Sequence, residues 1–315
     1  MFRFLSILAL ASSTTALAAP SPAGSPDESV VGGTVVPAGR WPDAVAVLAQ
    51  TAACTGTLIA PDVVLTAGHC IGVHPELVIV NTTDYATHGG EAIGVTKAVA
   101  YPSWEDRYDV GVLVLAHPAS TPPRPIASSC TAKDLVRGHS VEVVGFGLTT
   151  KTGTGNNSRL HQAKLVVSDA TCADAAGCAP AVAPGGEFAA GGDGTDACFG
   201  DSGGPIYLDD ALIGVVSRGL DAPGQPCGNG GIYVRADAPK VVAWIEKVTG
   251  KTLQRASCGA ADGPASGDPS LAGSDGADDT AGCSAGGTAG GSTSVLALVA
   301  LGLVLHRSRR RHQGA

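Results

Sequence analysis

A serine set among glycines is the residue of this sequence best placed to act as a nucleophile. It is Ser202, in the segment 200–205 with the sequence Gly-Asp-Ser-Gly-Gly-Pro. Glycines let the backbone turn tightly and direct successive N–H groups at one point, as the oxyanion of acyl transfer requires. A bare Gly-Asp-Ser-Gly also fits an ordinary glycine-rich turn, but the full hexapeptide is much more specific. We therefore predict that Ser202 attacks a carbonyl carbon.

Attack by a hydroxyl also needs a base and a group that orients the base. His69 follows a strand-like run in the segment 65–70, Leu-Thr-Ala-Gly-His-Cys, and a disulfide between Cys70 and Cys54 could hold its loop. Asp109 directly precedes the apolar run 110–115, where a buried carboxylate needs a partner such as an imidazole N–H. Either residue alone is more often structural or solvated, so their assignment as base and orienting group depends on the whole set.

Short apolar or alternating runs between turn residues predict the elements that position this set. One helix is indicated, from Pro239 to about Val248, with Gly250 as its stop. The 44 glycines and 20 prolines favour turns over long helices. We predict an all-β sandwich or barrel domain that ends in a short helix. The predicted strands are 44–48, 63–66, 77–80, 110–115, 141–146, 165–167, 212–216 and 232–234.

Composition excludes two classes of protein. Hydrophobic residues make up 44% of the chain and charged residues only 15%, which excludes a disordered chain. The formal net charge of -8, without any internal Lys/Arg cluster, gives no electrostatic basis for binding nucleic acid. We expect no nucleic-acid partner.

The two ends of the chain differ in composition from its middle. Residues 1–18 have the pattern of a signal peptide, since an N-terminal membrane anchor would need a longer apolar run. Residues 19–29 are predicted to be a short pro-segment, and residues 259–292 a Gly/Ala/Ser/Asp-rich linker. Residues 293–315 combine an apolar run with arginines. Export makes the nine cysteines candidates for disulfides, with one left over.

Five separated motifs together resemble the trypsin/chymotrypsin family of serine proteases over about 30–248. The resemblance implies two six-stranded antiparallel barrels packed side by side, with the catalytic triad in the cleft between them. The motifs are Val-Val-Gly-Gly at 30–33, the His69 segment, Asp109-Val110, the Ser202 hexapeptide, and Ser217-Arg218-Gly219, where the family usually has Ser-Trp-Gly.

The resemblance also implies a role for each reacting group. Ser202 is the nucleophile, His69 the base, and Asp109 the group that holds the imidazole. The backbone N–H groups of Gly200 and Ser202 form the oxyanion hole. The substrate is a peptide or protein, and no metal or cofactor is required.

A substrate pocket follows from the same resemblance. The family places its pocket floor six residues before the nucleophile, which is Asp196 here, and a carboxylate there selects a cationic side chain. Ser217, Gly219 and Gly231 match positions around the pocket. Ala197 replaces a hydroxyl that helps to bridge lysine, so arginine is expected to be preferred. The alternative for Asp196 is a solvated loop acid.

Activation is implied by the pair Val30 and Asp201. In the family, cleavage before the residue that matches Val30 frees an α-amino group, which pairs with the aspartate before the nucleophile. The resemblance therefore implies that the chain is made as a zymogen. Ser29 stands where self-activation would need Arg or Lys, so we expect a separate activating protease.

Disulfides and the C-terminal tail complete the resemblance. Cys130 and Cys258 could pair across the domain, which would leave Cys283 as the odd cysteine. The stretch from Cys283 through the arginines resembles myxobacterial C-terminal sorting tails, which implies a sorting system and delivery to the outer cell surface; a simple C-terminal membrane anchor is the alternative. Cys54–Cys70 and Cys198–Cys227 match family disulfides, and Cys172–Cys178 is expected from proximity.

Two other functions compete with a secreted trypsin-like endopeptidase. A protease-like fold that has lost activity could serve as a surface binding module, but the complete triad argues against it. A lipase or esterase would need Gly-x-Ser-x-Gly and the order Ser, Asp, His, and this chain has neither.

Overall fold

A computed structural model describes residues 30–87, 89–220 and 222–258. The predicted signal peptide, pro-segment, linker and sorting tail lie outside these residues. Two closed antiparallel β-barrels make up most of the described chain, and they confirm the all-β prediction.

The first barrel closes in the order β2-β3-β4-β7-β6-β5, because β2 pairs with both β3 and β5. Its interior is filled by branched aliphatic side chains such as Val45, Leu58 and Leu113. The strand β1 (Thr34–Val35) precedes it. The six strands are β2 (Ala44–Leu48), β3 (Ala53–Ala60), β4 (Val63–Thr66), β5 (Leu77–Val80), β6 (Glu91–Ala100) and β7 (Gly111–Leu115).

The second barrel runs β9-β10-β13-β12-β11-β8 and closes through pairing of β8 with β9, while β1 adds to β9. Along β9, buried and exposed side chains alternate, so that Leu165 faces the core and Lys164 faces solvent. Its strands are β8 (Ser140–Gly145), β9 (His161–Asp169), β10 (Glu187–Ala190), β11 (Pro205–Leu208), β12 (Ala211–Gly219) and β13 (Gly231–Arg235).

Helices are short and few in the described residues. They are α1 (Gly68–Ile71), α2 (Ser129–Ala132) and α3 (Pro239–Thr249), with one-turn 3-10 helices at Tyr85–Thr87 and Trp104–Asp106. Helix α3 begins at a proline and ends at Gly250, whose φ of 69° suits a helix C-cap, and it buries Val241 and Ile245 in the core. None of these helices is long and apolar enough to cross a membrane.

Four disulfides tie loops to the barrels. The three predicted pairs are present, and Cys130 also bonds to Cys258, the pairing that the sequence left open. Cys70, beside the candidate base, is therefore anchored to strand β3 through Cys54. The predicted pairs are Cys54–Cys70, Cys172–Cys178 and Cys198–Cys227.

Candidate active site

The cleft between the barrels brings together three side chains from separate loops. His69 lies on α1, directly after β4. Asp109 precedes β7, which pairs with β4. Ser202 lies in the loop between β10 and β11 of the other barrel. Strand pairing in the first barrel thus places the histidine beside the aspartate, and packing of the two barrels brings in the serine.

His69 and Asp109 make two hydrogen bonds. Asp109 Oδ2 lies 2.8 Å from Nδ1 of the imidazole, and Oδ1 accepts the backbone N–H of His69 at 2.9 Å. The Ser217 hydroxyl donates a third bond to Oδ2, at 2.8 Å. Burial raises the pKa of Asp109, but the bonds from His69 and Ser217 outweigh burial and hold this pKa below its ordinary value. The carboxylate therefore stays ionised and keeps the imidazole oriented.

A glycine makes this approach possible. A Cβ at Gly68 would lie 2.8 Å from the Trp104 side chain, closer than real Cβ atoms come, and would also be tight against Asp109 Oδ1 at 3.0 Å. The Trp104 ring packs near the imidazole, with 6.2 Å between the ring centroids. The glycine of the His69 segment is therefore a packing requirement of the site.

Ser202 shares a cavity of about 340 Å³ with His69. Within the described residues no hydrogen bond joins the Ser202 hydroxyl to the imidazole. Such bonds are often long in free enzymes and shorten when substrate binds, so shared access to the cavity is the relevant observation. Ala197, Ser217 and Gly219 also line this cavity.

The loop around Ser202 is attached to the first barrel by Thr55. The Thr55 amide donates to the Ser202 carbonyl at 2.9 Å, and its hydroxyl donates to the Gly200 carbonyl at 2.8 Å. Gly200 and Gly203 have φ values of 99° and 79°, which other residues rarely adopt. The backbone on both sides of Asp201 is therefore fixed in a shape that requires glycines at these two positions. No sequence motif signals the part that Thr55 plays.

Asp201 is fully buried beneath this loop. It accepts backbone N–H groups from Gly147 at 2.8 Å and Cys198 at 2.9 Å. Among the described residues no Lys, Arg or His side chain pairs with it. Burial raises the pKa of Asp201 to about 7, despite those two hydrogen bonds. Val30 is also fully buried, in the core of the second barrel.

Asp196 is a second buried carboxylate without a cationic partner in the described chain. It accepts the Tyr233 hydroxyl at 3.1 Å and the amides of Ala197 at 2.8 Å and Gly230 at 3.0 Å. Burial raises its pKa to about 6. Asp196 is fully buried, and neither it nor Gly231 is among the residues that line the Ser202 cavity, although the adjacent Ala197 is. A Cβ at position 231 would lie 3.2 Å from Asp196 Oδ1. The glycine leaves room for the acid.

Arg218, at the family's tryptophan position, is held by an acid that the sequence did not single out. Its guanidinium donates to both carboxylate oxygens of Glu187, at 2.8 and 2.9 Å. Glu187 is on β10 and Arg218 on β12, and no local sequence pattern signals that they meet.

Two groups of metal-type ligands occur in the described residues. They are Cys54, His69 and Cys70, and Cys172, Cys178 and Glu187. In both groups the cysteine sulfurs are bonded to each other, so they do not offer thiolates to an ion.

Comparison with known proteins agrees with this geometry. The model of the trypsin family matches residues 30–245. The chain is 33% identical to a trypsin of Saccharopolyspora erythraea over 195 residues, 59% of this chain and 82% of that protein. It is 32% identical to serine protease SP24D of Anopheles gambiae over 227 residues, 69% of this chain and 80% of that protein.

A solved structure extends the comparison to the fold. Neuropsin, a serine protease of mouse brain, superposes with a TM-score of 0.59 at 25% identity, over 69% of this chain and 98% of neuropsin. Two six-stranded barrels, the site in their cleft and the match over 30–245 lead to one conclusion. The chain belongs to the trypsin family and is a serine peptidase.

Proposed function

We propose that this peptidase is a secreted endopeptidase that acts through an acyl-enzyme on Ser202 and cleaves after arginine and, less readily, lysine. The observation that carries the catalytic part is the doubly hydrogen-bonded pair of His69 and Asp109 at the cavity that contains Ser202. Both partners of the nucleophile are thus oriented before substrate arrives.

The hydrogen bonds assign a role to each nitrogen of the imidazole. Because Nδ1 faces the ionised Asp109, it carries the proton, and Nε2 is free to accept the proton of Ser202 as the hydroxyl attacks. The Asp109 carboxylate then stabilises the imidazolium. His69 returns the proton to the leaving amine, and water releases the acyl group by the same steps.

The oxyanion that forms during attack needs backbone donors in fixed positions. Gly200 and Ser202 supply them, and the bonds from Thr55 to the carbonyls of these same two residues support their geometry. Donors that are already oriented need no reorganisation during the reaction, which is why such a loop lowers the barrier.

Selection of a cationic side chain rests on Asp196. Its carboxylate is buried with three neutral donors, and burial raises its pKa to about 6, so a cation that reached it would relieve an unfavourable charge. A guanidinium can form two parallel charge-assisted bonds, whereas an ammonium is a shorter point charge. Ala197, next to this acid, offers no hydroxyl to lysine. Arginine should therefore be preferred.

The proposal of activation by cleavage before Val30 rests on Asp201, which, like Asp196, is a buried carboxylate without a cationic partner among the described residues. In the uncut chain the nitrogen of Val30 is an uncharged amide, and the buried Asp201 has no cation among the described residues. Cutting would create an α-amino group, which is largely protonated near neutral pH, within a segment whose Val31 already pairs with Asp196. Pairing of this amine with Asp201 would complete the oxyanion loop, and Ser29 makes a separate activating protease necessary.

The proposal of export and surface delivery rests on the sequences of the two chain ends. The signal-peptide pattern of residues 1–18 directs export, and the Cys283 tail is proposed to be processed by a sorting system at the outer surface. The four disulfides fit an oxidising compartment.

Cleavage of a mixed peptide library tests the proposed specificity. Protein cut before Val30 should cleave after Arg and then Lys, and the Ser202→Ala variant, purified alongside it, should cleave nothing. Cleavage after large apolar residues by the cut protein would contradict the specificity, and equal activity of the variant would contradict the mechanism.

A further inference from the structure

Arg218 borders two cavities of the cleft. It lines the cavity of Ser202 and also a neighbouring cavity of about 590 Å³, which extends from His69 along Trp104 and Gly177. The two cavities adjoin, because His69 and Ser217 line both, so the larger one is within reach of a substrate chain bound at Ser202. Arginine in such a place would ordinarily be expected to attract acidic side chains.

The Arg218 guanidinium, however, has no N–H left to offer. Nε and Nη2 donate to the Gly177 carbonyl at 2.9 and 2.7 Å, and Nη1 donates to the Ser217 hydroxyl at 3.0 Å. The remaining two N–H groups bind Glu187. Because a guanidinium has five donors, these five bonds satisfy all of them.

Glu187 also cancels the charge of Arg218. Its side chain is fully buried, whereas that of Arg218 is 36% exposed. Its Oε2 also accepts the Ala179 amide at 2.7 Å. Arg218 is the one cation bonded to this carboxylate among the described residues. The pair therefore presents to the cavity a planar group without free donors and with little net charge.

The other ionic groups that line the larger cavity are acidic. Glu105 and Asp106 lie on the one-turn helix that begins at Trp104, and both are exposed. Asp109 also lines this cavity, but its oxygens are bonded to His69 and Ser217. With Arg218 neutralised, the two exposed carboxylates set the sign of the potential that an incoming side chain meets.

We propose that the Glu187–Arg218 pair determines specificity in the larger cavity: Glu187 withholds the guanidinium from substrate, so the cleft disfavours acidic side chains before the scissile bond. This deepens the proposed function and rests on it. An arginine without Glu187 would shift the preference towards acidic side chains, so the strength of the discrimination depends on one buried carboxylate.

The variant Glu187→Gln tests this most directly. Glutamine keeps the shape and one acceptor but removes the charge, and Arg218 can still hold Ser217 and Gly177. Truncation of Arg218 would instead leave Glu187 buried and unpaired and would disturb Ser217, which bonds Asp109. Glu142→Gln, in a separate cavity with Arg40 and Trp41, is the matched control.

The measurement is kcat/KM for peptides with Arg at the cleaved bond and Ala or Asp one, two or three residues before that Arg. The parent should cleave the Asp peptides more slowly than the Ala peptides. Glu187→Gln should raise the Asp-to-Ala ratio by about three- to fivefold at the position that contacts Arg218, as for one partly exposed ion pair. Glu142→Gln should leave the ratio unchanged.

A parent that prefers Asp over Ala at any of these positions would overturn the inference, as would a ratio that Glu187→Gln does not change. If Glu187→Gln does not fold, the inference is tested by the parent ratio and by the double variant Glu105→Gln/Asp106→Asn, which changes two exposed residues. That variant should raise the Asp-to-Ala ratio. A failure of the proposed function is distinct, because no Arg peptide would then be cleaved and Ser202 would not react with a fluorophosphonate.

Discussion

Replacement of Asp196 by asparagine should change which side chain the enzyme accepts without changing how it cleaves. The substitution preserves size and leaves an acceptor for the Tyr233 hydroxyl or for one of the two amides that bind Asp196. It removes only the charge. Arg peptides should therefore lose activity, while Leu peptides should lose little or gain.

The buried state of Asp196 sets the size of the effect. It has no solvent exposure, so a guanidinium paired with it is shielded from water. Breaking a buried pair costs about 3–5 kcal/mol, and the acceptor that asparagine keeps favours the lower end. At about 1.4 kcal/mol per tenfold change, 3 kcal/mol lowers kcat/KM for Arg peptides at least about a hundredfold.

A pH series isolates this carboxyl from the rest of the site. Burial raises the pKa of Asp196 to about 6, so in the free enzyme it is ionised above that pH and neutral below it. In the ratio of kcat/KM for Arg peptides to kcat/KM for Leu peptides, the titration of groups that both substrates need cancels. In the parent this ratio should be level above pH 6 and fall by up to about tenfold for each pH unit below it. In Asp196→Asn it should be low and flat.

Two results would refute this reasoning. One is a parent enzyme that prefers Leu or Phe to Arg peptides, and the other is an Arg-to-Leu ratio that asparagine leaves unchanged. Either would mean that Asp196 does not meet the substrate, although Ser202 could still be the nucleophile.

Three further predictions concern activation, the catalytic hydrogen bonds and the tail. In the uncut precursor, burial raises the pKa of Asp201 to about 7. The folded state then holds a proton on Asp201 that the unfolded state loses, so the free energy of unfolding should fall as pH rises from about 4 to 7. In denaturant titrations, Asp201→Asn should remove a few kcal/mol of this fall. An unchanged dependence of the unfolding free energy on pH would contradict the prediction. A precursor as active as protein cut before Val30 would contradict the activation step. Ser217→Ala should lower kcat about tenfold, because one bond to Asp109 is lost, and an unaltered kcat would disprove this role. Cys283→Ser should mislocalise the enzyme in cell fractionation without lowering its specific activity, and surface protein that retains residues 309–311 would contradict tail processing.

Several strands were predictable because they are buried and their sequences are correspondingly short apolar runs. Three predicted runs, 44–48, 63–66 and 77–80, coincide with β2, β4 and β5, which are almost wholly buried. Strand β6 was not predicted, since half of its residues are exposed, only one is buried, and the pattern does not alternate along the whole strand. It is a strand because β5 and β7 pair with it on either side, which no local pattern can reveal.

In the site, too, local motifs were predictable and long-range contacts were not. The candidate reacting residues each stand in a short motif, so the sequence alone indicated Ser202, His69 and Asp109. The partners that tune these residues come from distant strands. Thr55 reaches Gly200 across 145 positions of the chain. Such contacts depend on how two barrels close and pack, which residue types alone do not specify.

Reaction with a fluorophosphonate tests the central assignment most directly. Protein cut before Val30 is treated with the reagent, its intact mass is measured, and the modified residue is located by peptide mapping. One adduct per chain is expected, on Ser202 alone, and His69→Ala should slow its formation by about 10²–10⁴-fold, the contribution of a general base. An adduct on another residue, or no adduct on correctly cut and folded protein, would contradict the assignment of Ser202 as the nucleophile.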